Sequence, residues 1–216
     1  MYVIGITGGI ASGKSHVVDV ISKMGYEVID SDKISYELSL KGNKVYNEII
    51  NTFGEEYVLS NGEIDRKKLG RLIFNSEKDK QKLNEISHPY IIKEIKKRLK
   101  ESQGSIVFLD IPLLYEAKLE YLCDKIICVY LDKTKQIERL MARDGIDYEY
   151  ALKKINSQID LQIKAKQSDY IINSYGSLEQ TETITKNLIE KIKGELYGSH
   201  WNKRGSWKRT IKNTLL

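Results

Sequence analysis

The octapeptide Gly8-Gly9-Ile10-Ala11-Ser12-Gly13-Lys14-Ser15 satisfies G-x-x-x-x-G-K-[ST]. It follows Tyr2 to Thr7, where β-branched and small residues alternate, and precedes Val17, Val18, Val20, Ile21 and Met24 at helical spacing. Strand, glycine turn, helix is the context the pattern demands. Glycines let the backbone turn so that successive N–H groups point inward, and the helix beginning near Gly13 adds its positive dipole end. The natural occupant of such a cradle is a phosphate chain, with Lys14 reaching the β- and γ-phosphates and the Ser15 hydroxyl holding Mg²⁺. Average residue frequencies give a chance match on the order of 1% in a chain of this length, so an accidental turn is the weaker reading.

Gly25 stands where a left-handed helix stop is wanted, and Tyr26 to Ile29 then predicts a second strand ending at Asp30. Two strands joined by a helix are parallel. Ile106 to Leu109 and Lys125 to Leu131 are unbroken apolar runs rich in β-branched residues, the pattern of strands covered on both faces. Tyr170 to Ile172 predicts a last strand, and Leu178, Ile184, Leu188, Ile192 and Leu196 a closing helix before Gly198. Between Asp32 and about Gly104 no strand stands out. Asp65 opens one helix there, and Ser76 with Asp79 forms a capping signal before another that carries Leu83 to Leu99 and is interrupted at Pro89. The expectation is an α/β fold with a helical insertion and no internal repeat.

At 41% apolar residues, 216 residues can bury a core, and no apolar run approaches the roughly 18 needed to cross a bilayer. Mean hydropathy is −0.42. The first residues lack the basic flank of a signal peptide, so a reducing cytoplasm is expected. Cys123 and Cys128, five apart in an apolar stretch, fit neither a disulfide framework nor a zinc site and read as core. Residues 199–216 carry Lys203, Arg204, Lys208, Arg209 and Lys212 with no acid. Subtracting those five from the chain's 35 cations leaves 30 basic against 30 acidic residues, which argues against a nucleic-acid binder. That tail also holds both tryptophans, Trp201 and Trp207, and could touch RNA or anionic lipid, which keeps a nucleotide-binding regulator as a rival reading.

Three further groups carry chemistry. Asp30-Ser31-Asp32 would leave the second strand at the carboxyl edge beside the glycine loop. One carboxylate could reach Mg²⁺ through water and the other accept a hydroxyl proton, or Asp32 could simply cap the next helix. Asp110 ends a buried strand, as the metal-holding acid of many phosphate-loop proteins does, and as any strand ending on a polar residue does. Arg139 and Arg143, four apart, share one helix face and form either a phosphoryl clamp or a solvated face with Glu138 and Asp144. His88-Pro89 could be a turn and His16 a surface residue; neither histidine has a visible catalytic partner.

In this order the residues resemble the dephospho-coenzyme A kinase family over about residues 2 to 197. The resemblance rests on Thr7 to Ser15, Val28 to Asp32, Asp65-Arg66 with Leu69 and Ile73-Phe74, His88-Pro89, Pro112 to Glu116, the Arg139/Arg143 spacing, Gln158 and Asn173. It implies a P-loop kinase fold with a five-stranded parallel sheet flanked by helices, a helical acceptor-binding insertion and a lid. The implied partition is a domain over 1–198, its core at about 1–32 and 105–198, the insertion at about 33–104 and the lid at about 139–168. Residues 199–216 form a tail without catalytic role. The implied reaction moves the γ-phosphoryl group of Mg²⁺-ATP to the ribose 3′-hydroxyl of dephospho-CoA. Asp32 is then the base, acting with Lys14 and Arg139. Gly8, Gly9, Ala11, Ser12, Gly13, Lys14, Ser15, His16, Arg143 and Asn173 hold ATP; Asp32, Arg66, His88, Pro112 and Leu113 hold the acceptor; Ser15 holds the metal with Asp30 or Asp110 through water. A monomer acting on small molecules is expected, and a kinase of nucleoside monophosphates is the nearest rival. The chain departs from the family at His16 (usually Thr), Ser31 (usually Ala) and Ser35-Tyr36 (commonly Ala-Arg).

Overall fold

The computed structural model describes residues 1–198, and the basic tail falls outside them. Five strands form one parallel sheet: β1 (Tyr2–Gly8), β2 (Glu27–Asp30), β3 (Ile106–Asp110), β4 (Lys125–Tyr130) and β5 (Tyr170–Asn173), in the spatial order β2-β3-β1-β4-β5. Register places Ile6 opposite Asp110 and Asp110 opposite Asp30, so both acids and the end of β1 reach the same carboxyl edge. Because side chains alternate across a strand, β1 sends Val3 to one face and Ile4 and Ile6 to the other.

Ile4, Ile6, Phe108, Ile127 and Val129 pack against Val17 and Ile21 of α1 (Lys14–Lys23) and Ile189 and Ile192 of α9 (Leu178–Gly198). On the opposite face, Val3, Ile29, Val107 and Leu109 meet Ile34 of α2 (Ser31–Leu38) and Ile95 and Leu99 of α5 (Glu77–Glu101). Gly25 takes φ 88° and stops α1 as its position predicts.

Between β2 and β3 the chain adds α3 (Lys44–Phe53), which the sequence reading leaves unassigned, and α4 (Arg66–Asn75). Val45, Tyr46, Ile49, Ile64 and Leu69 gather there into an apolar cluster of their own. Asp65 and Ser76 cap α4 and α5, accepting from Lys68 N at 2.9 Å and Asp79 N at 3.2 Å. The expected interruption at Pro89 does not occur, since α5 runs through it. Proline there removes the donor that would reach Glu85, and packing on both sides of that gap, Leu83 and Ile86 before it and Ile91, Ile95 and Leu99 after it, carries the helix on.

Between β4 and β5 lie α6 (Lys133–Asp144), α7 (Tyr148–Asn156) and α8 (Leu161–Gln167). α7 reaches across to α4: the Tyr150 and Phe74 rings meet edge to face at 5.7 Å, and Lys153 Nζ lies 4.8 Å over Phe74. Cys123 and Cys128 are free, and burial pushes both thiols to about 12, which leaves them as packing groups. No helix among the described residues is long and apolar enough to cross a membrane.

Candidate active site

The loop between β1 and α1 takes its shape from two different uses of glycine. Gly13 sits at φ 84° as the N-cap of α1, a left-handed position that releases the following amides toward the cavity. Gly9 is needed for space: a Cβ there would lie 2.3 Å from Gln136 Nε2 and 3.1 Å from Leu161. That opening lets Gln136 Nε2 donate to Ile10 O at 2.8 Å, while Ile10 N donates to Gln158 Oε1 at 3.1 Å. Both polar groups of Ile10 are thus held from outside the loop. Gln158 belongs to the family resemblance; Gln136, 126 residues from Ile10, has no local signal that sequence could offer.

A cavity of about 460 Å³ opens over this loop, bounded by residues 8–15, Asp32, Pro112, Arg139, Arg143 and Gln158. A second of about 320 Å³ lies beside it, between the sheet edge and α2 to α5. Asp32 and Pro112 wall both. Arg66, His88 and Leu113 face the second cavity, whose other walls are mainly apolar side chains such as Val45, Ile49, Leu69 and Ile91.

Lys14 Nζ lies 2.6 Å and 2.8 Å from the two Asp110 carboxylate oxygens. Burial pushes the Asp110 carboxyl above the usual carboxylate range, against the pull of the Lys14 ammonium. Asp32 is likewise pushed up by burial, opposed by Lys14 and reinforced by Asp30. The helix-capping alternative for Asp32 falls to its neighbour, because Asp30 Oδ1 accepts from Asp32 N at 2.8 Å and Lys33 N at 3.0 Å. Asp32 is the first-turn acid of α2 and carries no part of the cap.

The two arginines of α6 do different things. Arg139 donates to Ser174 O at 2.8 Å, and Ser174 Oγ donates to Ser12 O at 2.5 Å, which ties α6, the β5 end and the glycine loop together. Arg143, at the cavity wall, pairs with Asp144, whose carboxyl is held at about 2 by Arg143 and Lys154. His16 turns away: its Nε2 lies 3.0 Å from Leu178 O at the start of α9. Asn173 folds back so that its Oδ1 accepts from Tyr175 N at 3.0 Å, and it lines a separate surface pocket with Tyr175 and Gly176.

Ser12 Oγ is buried without a hydrogen-bond partner among the described residues. The cavity that Ser12 lines offers Lys14, Arg139 and Arg143 to anions and hard oxygens on Ser15 and Asp32. Among the described residues no group of three or more His, Cys, Asp or Glu forms a protein cage for a metal. Such a set fits Mg²⁺, which keeps waters and phosphate oxygens as most of its ligands.

Against known families, the dephospho-CoA kinase model matches residues 2–180. The chain belongs to the dephospho-CoA kinase family. Among relatives of that family, the dephospho-CoA kinase of Carboxydothermus hydrogenoformans is 40% identical over 94% of this chain and 98% of its own. That of Enterococcus faecalis is 43% identical over 89% and 98%. The solved dephospho-CoA kinase from Campylobacter jejuni superposes with a TM-score of 0.67 at 30% identity, covering 89% of this chain and 98% of that one. The P-loop kinase fold and five-stranded parallel sheet expected from sequence are therefore those of the molecule.

Proposed function

We propose that this dephospho-CoA kinase family member transfers the γ-phosphoryl group of ATP to the ribose 3′-hydroxyl of dephospho-CoA, giving CoA and ADP. The observation that carries the reading is Asp32, which stands in the wall shared by the phosphate-loop cavity and the second cavity. Only at such a boundary can one carboxylate touch an acceptor hydroxyl while the donor phosphates lie in the loop. The 3′-hydroxyl gives its proton to an Asp32 carboxylate oxygen as the O3′–P bond forms and the bond from phosphorus to the β-phosphate oxygen breaks.

Lys14, paired with Asp110 at the floor of the loop cavity, supplies positive charge to the β- and γ-phosphates. The loop amides and the start of α1 receive the remaining phosphate oxygens. Arg139, fixed on Ser174, and Arg143, at the cavity wall, add cations on the lid side. Ser15 Oγ would hold Mg²⁺, with Asp110 as the acid reached through water; Asp30, one oxygen committed to its helix cap, is the poorer candidate. The metal, when bound, neutralises charge on the β- and γ-phosphates. By the same reading α6 to α8 form the lid and α2 to α5 the acceptor-binding insertion.

The second cavity separates this acceptor from the rival. Both acceptors carry phosphate that Arg66 could meet, but only dephospho-CoA has an uncharged arm to fill apolar walls, which a nucleoside monophosphate would leave empty. The walls here offer Arg66, a His88 whose pKa burial pushes down, and many apolar side chains, which suit an acceptor with a long uncharged arm. With Mg²⁺-ATP, the purified protein is expected to phosphorylate dephospho-CoA far faster than AMP, CMP, pantothenate or adenosine. Product chromatography with phosphorus NMR reads donor, acceptor and position together; equal turnover of a monophosphate would overturn the assignment.

Tyr36, which stands where the family commonly has arginine, packs its ring under the Arg66 guanidinium at 4.3 Å, and Arg66 Nη2 donates to Ser39 Oγ at 2.9 Å. An exposed cation–π contact contributes about 0.5–1 kcal/mol, whereas charged hydrogen bonds contribute about 1.5–3 kcal/mol. Tyr36→Ala is expected to raise the dephospho-CoA KM roughly 2- to 5-fold and Arg66→Ala roughly 10- to 100-fold. In neither variant should the KM for ATP move. A shift in ATP KM matching that for the acceptor would place Arg66 outside the acceptor site.

A further inference from the structure

The segment Pro112 to Glu116 belongs to the family pattern, yet only its first two residues line the reaction site. Its last, Glu116, makes an ion pair inside the protein. Glu116 Oε1 lies 2.6 Å from Lys164 Nζ, and the Lys164 side chain is 0% exposed. The same Oε1 accepts from Ile159 N at 3.0 Å. Lys164 Nζ also donates to Pro112 O at 3.3 Å, an acceptor it shares with Thr7 Oγ1 at 3.0 Å. Glu116 Oε2 is buried with no hydrogen-bond partner among the described residues.

Such a pair is a poor device for stability alone. Withdrawing two charges from water costs several kcal/mol per ion, and an unpartnered carboxylate oxygen adds to that cost. What the pair does is join three pieces of chain that meet at the active site. Lys164 comes from α8, Glu116 from the loop after β3, and Ile159 from the stretch by which the chain returns from α7 to α8. The next residue back, Gln158, is the acceptor for Ile10 N in the phosphate loop.

We propose that Glu116 and Lys164 are positioning residues for the donor nucleotide: their buried pair pins the Ile159 amide and thereby holds Gln158 against Ile10 of the phosphate loop. The proposal rests on reading the Gly8 to Ser15 loop as an ATP site. Without the pair, the 157–160 return could drift while α8 stayed packed through Leu161 and Ala165 on Cys128. The loop would then lose one of the two contacts that fix the Ile10 peptide.

The test is ATP binding without acceptor, by calorimetry, beside steady-state kinetics and thermal melts on the full chain. Glu116→Leu with Lys164→Met replaces the pair by apolar groups of similar size, a change that buried ion pairs tolerate. This double variant should melt within a few degrees of wild type, bind ATP about 10-fold more weakly, and keep the KM for dephospho-CoA. Glu116→Gln with Lys164→Met retains a carbonyl for the Ile159 amide and should recover most of the lost affinity. Gln158→Ala should reproduce the weakening, and adding it to the apolar double variant should weaken binding no further, because residues acting in series are not additive.

Wild-type ATP affinity in a folded apolar double variant would overturn the proposal, as would additive losses. Should that variant not fold, Gln158→Ala decides alone, and unchanged ATP binding there removes the last link. Failure of wild type to phosphorylate dephospho-CoA while still binding ATP would instead fault the acceptor assignment and leave these arms readable.

Discussion

Lys14→Ala is expected to lower phosphoryl transfer by about 10³-fold or more, the scale on which cationic groups at a transferring phosphoryl act. The lysine is the one ammonium that the loop carries into its own cavity, and Arg139 and Arg143 approach from α6 and cannot take its place. A second effect has to be separated from the first. Removing Lys14 strands the buried Asp110 carboxylate, and breaking a buried pair by removing one partner typically costs about 3–5 kcal/mol. Burial already lifts the Asp110 pKa, so that carboxyl can meet the loss by taking a proton. Lys14→Met combined with Asp110→Asn leaves neither charge and should restore the melting temperature without restoring turnover. Rapid-quench measurement of ADP formation, beside melts of both variants, tells the cases apart. Near-normal turnover in a folded Lys14 variant would contradict the phosphate cradle.

That an acid stands opposite Lys14 was legible in sequence only in part. A strand, eight loop residues and a helix form one continuous stretch, so the glycine loop could be read locally, and the apolar runs of β3 and β4 announced a sheet covered on both faces. The direct pairing of Lys14 with Asp110 spans 96 residues and follows from strand register, which no local pattern encodes. Capping shows the same limit on a smaller scale. Asp30 and Asp32 are both good N-cap residues, and the choice between them turns on where β2 stops being extended: Asp30 keeps φ −94° and ψ 115°. Pro89 misled for the opposite reason, since a local rule yielded to tertiary packing. α3 had a readable stripe in Val45, Ile49 and Phe53 but opens on Asn43 without a side-chain cap bond. Gln136 and the Glu116–Lys164 pair could be recognised only once distant segments stood side by side.

The release of Asp32 from capping gives the remaining prediction its sharpness. Asp32→Asn should leave α2 intact, because Asp30 still accepts from the amides of residues 32 and 33. It should lower kcat by about 10²-fold or more with little change in ATP KM, the size expected for a lost general base. The pH profile follows from burial, which holds the Asp32 pKa above that of a free aspartate. A base works only when deprotonated, so the acid limb of the wild-type kcat/KM profile should lie above the range of an ordinary carboxylate and should vanish in Asp32→Asn. Stability should move the other way. With a folded pKa above the unfolded one, this carboxyl favours folding below the unfolded value, and that contribution is lost as pH rises through the folded value. At neutral pH the buried carboxylate therefore weighs against the fold. The melting temperature of Asp32→Asn should exceed that of wild type at pH 7, with the gap closing below about pH 4. An unaltered rate would show that the hydroxyl proton leaves by another route. A lost rate with the acid limb still in place would make Asp32 a binding group for the acceptor, with the titrating base elsewhere in the shared wall.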